Sequence, residues 1–182
     1  KIDIFHIIII ATIGNTITSL LLNLSYTYIS IGMATTLHFM YPLFVSLMCV
    51  FIYKDKLTKT KIISLIIALV GVFMFIDLSK TSGIAGMVMA LISGVSYAFY
   101  MVYMDKSRLM NYYDPLVISF WLNLITTINF GIICLLSNKF VFTLDLIGNM
   151  YLIFIALLSQ IFAVLFLQIG IKYIGSGNAA MY

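Results

Sequence analysis

The polar side chains that could bind a solute or a proton stand singly inside long apolar runs of this chain. Two of them are the amides Asn15 and Gln160, and a third is the imidazole of His38. An amide in hydrocarbon is costly unless it is hydrogen-bonded, so each amide predicts either a bond between helices or a place in a polar cavity. An ionisable side chain inside a membrane span is a functional hypothesis by default, which singles out His38.

The residues after His38 predict a bend in the helix that carries it. Tyr41 and Pro42 follow within about one helical turn. Proline has no backbone N–H, so it frees the carbonyl group four residues earlier and lets a helix kink. We therefore expect His38, Tyr41 and Pro42 to border a substrate cavity. The alternative is a neutral histidine that is hydrogen-bonded to a neighbouring helix.

Carboxylates and thiols offer little chemistry at mid-membrane. The chain has no glutamate, and its aspartates all lie near the ends of predicted spans: Asp3, Asp55, Asp77, Asp105, Asp114 and Asp145. A carboxylate proton carrier of the kind that pumps use is therefore not expected in this chain, which leaves His38 as the titratable candidate for coupling. Cys49 and Cys134 fall inside apolar spans, so no metal site, disulfide or cofactor is predicted.

The elements that position these residues must be transmembrane helices. Hydrophobic residues make up 63% of the chain, charged residues only 9%, and the mean hydropathy is +1.15. A bilayer core takes about 20 apolar residues per helix, and backbone groups in lipid must bond internally. The pattern predicts an all-α polytopic bundle with helices over 4–27, 33–53, 60–77, 84–104, 115–136 and 150–172, a turn at Tyr28–Gly32, and a seventh helix opening near Asn178.

Basic residues outside the predicted spans favour one side of the membrane. One side holds Lys1, Lys54, Lys56, Lys59, Lys61, Lys106, Arg108 and Lys172, and the other holds Lys80 and Lys139. Because basic loops stay cytoplasmic, we expect Lys1 and the Lys54–Lys61 loop inside, in a plasma membrane such as the bacterial inner membrane. The basic residues lie in short loops rather than along one helical stripe, so no nucleic-acid partner is expected.

The helix predicted over 84–104 has two notable faces. Small residues recur every fourth position on one face, which allows another backbone to approach closely: Gly86, Ala90, Gly94 and Ala98. Ser93, Tyr97 and Tyr100 lie on a neighbouring face, where they form either a cavity wall or ordinary core. The next predicted helix carries further candidates for the pathway, with helix packing as the favoured alternative: Trp121, Asn123 and Thr126.

Part of the chain repeats at an offset of 145 residues. Residues 20–36 align with residues 165–181, so that Tyr28 meets Tyr173 and Gly32 meets Gly177. The same offset carries Asn15 onto Gln160 and Asn23 onto Gln168. The predicted topology makes the two copies run in opposite directions. Inverted repeats of this kind are typical of transporters whose substrate binds between the halves.

The spacing of these motifs resembles the EamA-type transporters of the drug/metabolite transporter superfamily. The resemblance rests on Tyr28, Ser30, Gly32, Ala34, Pro42, Asp55, Gly71-Val72 and the restart over Gly86–Tyr103. Asp55 replaces the usual glutamate, and Ser64 stands where glycine is common. The resemblance implies ten helices in two inverted halves of five. On that basis residues 1–78 hold the last three helices of one repeat, and residues 79–182 hold the first three of the next plus the start of a fourth.

The sequence thus predicts part of a membrane transporter that moves small organic solutes, such as amino acids, metabolites or drugs, by alternating access. Its expected partners are the solute and the lipid bilayer, and a homodimer is left open. A membrane-embedded enzyme would need a nucleophile–base or metal constellation, which the pattern does not offer. A seven-helix receptor or scaffold is the other alternative, and the inverted repeat argues against it.

Overall fold

The computed structural model describes residues 4–54, 58–75, 83–107, 109–138 and 145–181. Within these ranges the regular structure is helical and contains no strand, as expected of a chain whose backbone must bond internally in lipid. Lys1, the centre of the Lys54–Lys61 loop and the proposed boundary between residues 78 and 79 lie outside the described residues. The side chain of Gln160 also lies outside them.

The described helices follow the predicted spans closely. Their bounds are α1 (Ile4–Ser25), α2 (Ile31–Tyr53), α3 (Lys59–Phe75), α4 (Ile84–Lys106), α5 (Leu109–Tyr112), α6 (Pro115–Ser137), α7 (Leu146–Ile174) and α8 (Ser176–Ala179). Of these, α1, α2, α4, α6 and α7 are long and apolar enough to cross a membrane. The 17 residues of α3 stand at the short end of the range for a span. The helix predicted near Asn178 is α8, and α5 was not predicted.

Local chemistry explains where the helices begin and end. Ser30 caps α2 by accepting a hydrogen bond from the backbone N–H of Met33, and Asp145 caps α7 through the N–H of Gly148. Lys54 and Asn138 end α2 and α6 in the left-handed conformation that commonly closes a helix. The turn before α2 covers residues 26–30, so Gly32, predicted to lie in the turn, is already helical.

Three of the long helices are irregular. The structure divides α2 into Ile31–His38 and Tyr41–Tyr53, with a break at Phe39 and Met40. Both α1 and α7 contain a π-helical segment, at Ile10–Ile17 and Leu157–Ala163 respectively. Wide turns of this type often occur at functional sites.

The packing is organised around α4. This helix contacts α1, α2, α5, α7 and α8, and it contributes the buried side chains Tyr100, Met101 and Met104 to the main core. On the far side of α1, α6 packs against both α1 and α7. Because α4 contacts helices of both repeat copies, a binding site between the copies would include residues of α4.

The two repeat copies turn at opposite ends of α4. The turn after α1 lies against the start of α4, where a Cβ added to Gly86 would stand only 2.7 Å from the Cβ of Tyr28. The turn after α7 lies at its other end, where Oδ2 of Asp105 accepts hydrogen bonds from the backbone N–H and hydroxyl of Ser176. The copies therefore run in opposite directions along α4, which is the geometry of an inverted repeat.

Candidate functional site

The break in α2 presents His38 to the middle of α4. Pro42 has no N–H to offer the carbonyl of His38, so this oxygen is released from the helical ladder. The released oxygen points at Gly94, where an added Cβ would lie 2.9 Å from it. Glycine at this position therefore lets the broken segment of α2 approach the backbone of α4.

The imidazole of His38 is anchored by one ring nitrogen. Nδ1 lies 2.9 Å from the hydroxyl oxygen of Ser93, and that hydroxyl donates its own proton to the carbonyl of Ala90 at 2.6 Å. Because the proton of Ser93 is committed, Nδ1 of His38 must be the donor in their bond. Among the described residues, the other ring nitrogen, Nε2, has no hydrogen-bond partner.

Four aromatic rings from α2 and α4 form one cluster, which we call the aromatic cluster. Its members are His38, Tyr41, Tyr97 and Tyr100. The ring centroid of Tyr97 lies 5.5 Å from that of His38, 4.9 Å from that of Tyr41 in an edge-to-face pair, and 5.6 Å from that of Tyr100 in a stack. These spacings are within the range of favourable aromatic pairs. The structure thus brings together two pairs of residues that the sequence placed on different helices.

Gln168 of α7 extends the aromatic cluster into the second repeat copy. Its side chain is fully buried; Nε2 lies 3.3 Å from the hydroxyl oxygen of Tyr100, and Oε1 accepts the hydroxyl proton of Ser119 at 2.9 Å. Both ends of the amide are therefore used, and α4, α6 and α7 are tied together at one point. From the sequence, Gln168 is distinguished only as the repeat partner of Asn23; its place as an amide in an apolar span was the available signal.

Asn15 lies away from the aromatic cluster, on the side of α1 that faces α6. Its amide is 3.5 Å from the hydroxyl of Thr126, at the limit of a hydrogen bond. One turn further along α6, the amide of Asn129 donates to the hydroxyls of Thr12 at 3.2 Å and Thr16 at 3.0 Å. These residues form a polar seam between α1 and α6, in which Thr126 contacts the neighbouring helix.

The π-helical segment of α1 is held from α4. A π-helical turn replaces the usual backbone hydrogen bonds with wider bonds that span five residues. The hydroxyl of Ser96 on α4 donates to the carbonyl of Ile13, whereas the hydroxyl of Thr18, in α1 itself, donates to the carbonyl of Gly14. A Cβ added to Gly14 would stand 2.7 Å from the Cβ of Tyr100, so the absence of a side chain at Gly14 lets α1 pack directly behind the aromatic cluster.

The small-residue face of α4 is buried along its whole length. The structure places Gly86 against the turn after α1 and Gly94 against the break in α2. Ala90 and Ala98 lie between and beyond them with no exposed surface. All four residues are therefore buried inside the protein, and Gly94 lies against the backbone of a neighbouring helix. Among the described residues, no three His, Cys, Asp or Glu side chains are grouped so that they could hold a metal ion.

Comparison with known proteins agrees with this architecture. The sequence model of the EamA-like transporter family matches residues 1–76 and 84–182. An uncharacterized transporter of Archaeoglobus fulgidus is 27% identical over 117 residues, which are 64% of this chain and 41% of that protein. Another, from Synechocystis sp., is 28% identical over 120 residues, which are 64% of this chain and 36% of that protein. The matched part thus spans less than half of either relative. No solved structure matches the chain.

Proposed function

Because the chain belongs to the EamA-like transporter family, we propose that it forms part of a carrier that moves small organic solutes across the membrane by alternating access. Membership of a transporter family implies that the protein is not an enzyme. Amino acids, metabolites and drugs are the solute classes considered. The single observation that carries the proposal is the position of the aromatic cluster: it lies midway along α4, between the turns of the two inverted copies, where such carriers bind their substrates.

The aromatic cluster has the chemistry of a site for small organic solutes. The side chains of the aromatic cluster carry three polar groups that could bind a solute: the hydroxyls of Tyr41 and Tyr97, and Nε2 of His38. Among the described residues, none of these groups has a hydrogen-bond partner. Apolar walls with a few convergent polar groups are typical of small-molecule sites. In this proposal the rings contact the body of the solute, and the three polar groups fix its orientation.

The irregular helices supply the movable parts in this proposal. Discontinuous helices next to a central site are a recurrent feature of carriers that expose one site to each side in turn. The break at Phe39 and Met40 lies next to His38, and the π-helical segment of α1 lies behind Tyr100. We assign Pro42 the role of maintaining the break. His38 remains the proposed coupling group, because it is the titratable side chain with an unbonded ring nitrogen in the aromatic cluster.

We further propose that the end of the bundle carrying Lys54 faces the cytoplasm of a bacterial cell. The N-terminal end of α1 meets the C-terminal end of α4 through His6 and Tyr103, whose bonding atoms are 2.6 Å apart. Lys106 lies over the ring of Tyr53 at the same end, with its nitrogen 5.1 Å from the ring centroid. Basic residues thus gather at one end of the helices, and this distribution supports a cytoplasmic position for that end.

Two hydroxyl deletions test the aromatic cluster as the solute site. Tyr41→Phe and Tyr97→Phe keep the rings but remove one hydrogen-bonding group each. We expect each change to raise the KM for uptake about 2- to 10-fold, the value of one neutral hydrogen bond. The measurement is uptake of a panel of radiolabelled amino acids, nucleobases and aromatic drugs into proteoliposomes that contain the full-length protein.

The matched control is Tyr112→Phe, because this tyrosine lies in α5 and is 77% exposed. Its KM should equal that of the unmodified protein. Thermal unfolding in detergent shows whether the variants are folded. Unchanged KM values for both cluster variants, in folded protein, would contradict the assignment of the solute site. No uptake of any solute by the unmodified protein would contradict the transport function itself.

A further inference from the structure

A cleft between α6 and α7 remains outside the functions assigned so far. Its volume is about 620 Å³, which falls in the range of small-molecule sites. Its walls are mainly apolar and carry no ionisable side chain. The lining residues are Leu116, Ser119, Phe120, Asn123, Leu124, Thr127, Ile153, Ala156, Leu157 and Leu165.

One stripe of polar residues on α6 faces this cleft, and only its central member has a side chain available for a ligand. The hydroxyl of Ser119 donates to Gln168, and the hydroxyl of Thr127 donates to the backbone carbonyl of Asn123 at 2.8 Å. The side-chain amide of Asn123 lies between them, and among the described residues it has no hydrogen-bond partner. The cleft therefore presents one donor and one acceptor, side by side, on an otherwise apolar surface.

The depth of Asn123 argues against a phospholipid as the occupant. The residue lies eight positions after Pro115, the first of α6, or about 12 Å along the helix axis. In a hydrocarbon core about 30 Å thick, this is near the middle. Phospholipid ester and head groups remain at the interface, so only acyl chains reach this level. An acyl chain offers nothing to an amide, and an unbonded amide in hydrocarbon is costly.

We propose that the α6–α7 cleft binds a neutral amphiphile: a molecule with an apolar body and an amide-like pair of one donor and one acceptor. The pair would bond the side chain of Asn123, and the body would lie against Phe120, Leu124 and Leu157. A charged ligand is disfavoured, because no lining residue could compensate its charge in this environment. The inference does not depend on transport, because it concerns binding to the protein at rest.

The occupant of this cleft would also reach the aromatic cluster indirectly. Ser119 lines the cleft and donates to Gln168, whose amide in turn lies next to the hydroxyl of Tyr100. A ligand that competes for Ser119 would loosen the link between α6 and α7. The cleft is thus a separate binding site that shares one residue with the network behind the solute site.

Photolabelling of the full-length protein in lipid nanodiscs tests the proposal. The probe is 4-(trifluoromethyl-diazirinyl)benzamide, a neutral aryl carboxamide, and its analogue without the carboxamide is the reference. We expect the benzamide to label the cleft residues Phe120, Leu124, Ile153 or Leu157 saturably. Plain benzamide in excess should suppress the labelling. Asn123→Leu should weaken the apparent affinity about 2- to 10-fold for the benzamide only, because it removes hydrogen bonds and leaves the size unchanged.

A steric pair of variants provides the second arm. Ala156→Phe fills the cleft and should reduce labelling at least 5-fold, whereas Ala163→Phe places the same ring on an exposed part of α7 outside the cleft and should not. Two results would overturn the proposal. One is labelling by both probes that does not saturate and spreads over the lipid-facing side of α7, as a lipid-filled crevice would give. The other is benzamide labelling that Asn123→Leu leaves unchanged in folded protein.

Discussion

The corresponding helices of the two repeat copies, α1 and α7, are buried to very different extents. In its most apolar stretch, α1 buries 33% of its residues, whereas α7, its repeat mate, buries only 6%. Their backbones nevertheless agree in detail. The π-helical segment of α1 at Ile10–Ile17 corresponds within two residues to that of α7 at Leu157–Ala163, and the starts of α2 and α8 correspond exactly at an offset of 145 residues.

This comparison shows that the two copies share the same backbone irregularities, although residues at corresponding positions differ in burial and in hydrogen bonding. Gly14 of α1 is buried against Tyr100, but its counterpart Ser159 is exposed. Asn23 is exposed and bonds the carbonyl of Ser19 in its own helix, but its counterpart Gln168 is fully buried. The buried hydrogen bonds of Gln168 therefore involve the second copy only, and each copy contacts its neighbours through different residues.

The largest difference in stability between the copies is expected when the residues at positions 14 and 159 are exchanged. Gly14→Ser places a Cβ within 2.7 Å of the Cβ and 3.2 Å of the Cα of Tyr100, and neither can move without shifting α4. We expect a loss of about 3 kcal/mol, the upper part of the range for overpacked cores. The reciprocal change Ser159→Gly should have an effect below about 0.5 kcal/mol, because Ser159 is exposed.

The measurement for this pair is the free energy or midpoint of unfolding in detergent. Equal stability of the two variants would mean that α1 and α4 do not pack as closely as described. It would also remove the evidence that the first copy supports the aromatic cluster from behind.

A smaller difference in stability is expected between substitutions of Asn23 and of its repeat counterpart Gln168. Gln168→Leu keeps the volume but leaves the hydroxyls of Tyr100 and Ser119 without their partner. We expect a loss of about 1–2 kcal/mol, together with slower uptake, because three helices lose a common contact. Asn23→Leu should change neither property, since this amide bonds only its own helix. If both variants behave like the unmodified protein, the buried network is not needed for the site.

Much of the fold could be predicted because the bilayer constrains it so strongly. Apolar length and basic loops sufficed to place the long helices within a few residues, and the bend expected between His38 and Pro42 is present as a break at Phe39 and Met40. The chemistry of proline is local, so it can be anticipated without knowledge of the neighbouring helices. The same reasoning singled out His38 and Tyr41, next to this proline, as neighbouring candidates for the substrate cavity.

The π-helical segments and the partner of each amide could not be predicted in this way. A π-helical segment changes the angular position of every following residue, so a face assigned at 3.6 residues per turn no longer holds beyond it. Asn15 lies inside such a segment and faces α6, and the sequence had left a bond between helices and a cavity position both open for it. Which amide becomes buried depends on the neighbouring helix, and this information is absent from the spacing of Asn23 and Gln168.

The last test concerns the polar seam between α1 and α6. Packing at this seam accounts for part of the greater burial of α1 compared with α7. Asn129→Leu removes two hydrogen bonds, at 3.2 Å to Thr12 and 3.0 Å to Thr16, whereas Asn15→Leu removes one at 3.5 Å to Thr126. Bonds between membrane helices average about 0.6 kcal/mol, because the separated helices also find partners in the membrane. We therefore expect Asn129→Leu to cost about 1 kcal/mol and Asn15→Leu less than about 0.5 kcal/mol.

Unfolding midpoints in detergent, combined with the double variant Asn129→Leu/Thr16→Val, separate the seam from general packing. If the hydrogen bond to Thr16 acts as described, the double variant should lose less stability than the sum of the single changes, because both remove the same bond. Strict additivity would show that Asn129 stabilises the seam through its bulk alone. A larger loss for Asn15→Leu than for Asn129→Leu would contradict the assigned partners. It would mean that Asn15 makes a stronger bond between helices than its 3.5 Å distance to Thr126 indicates.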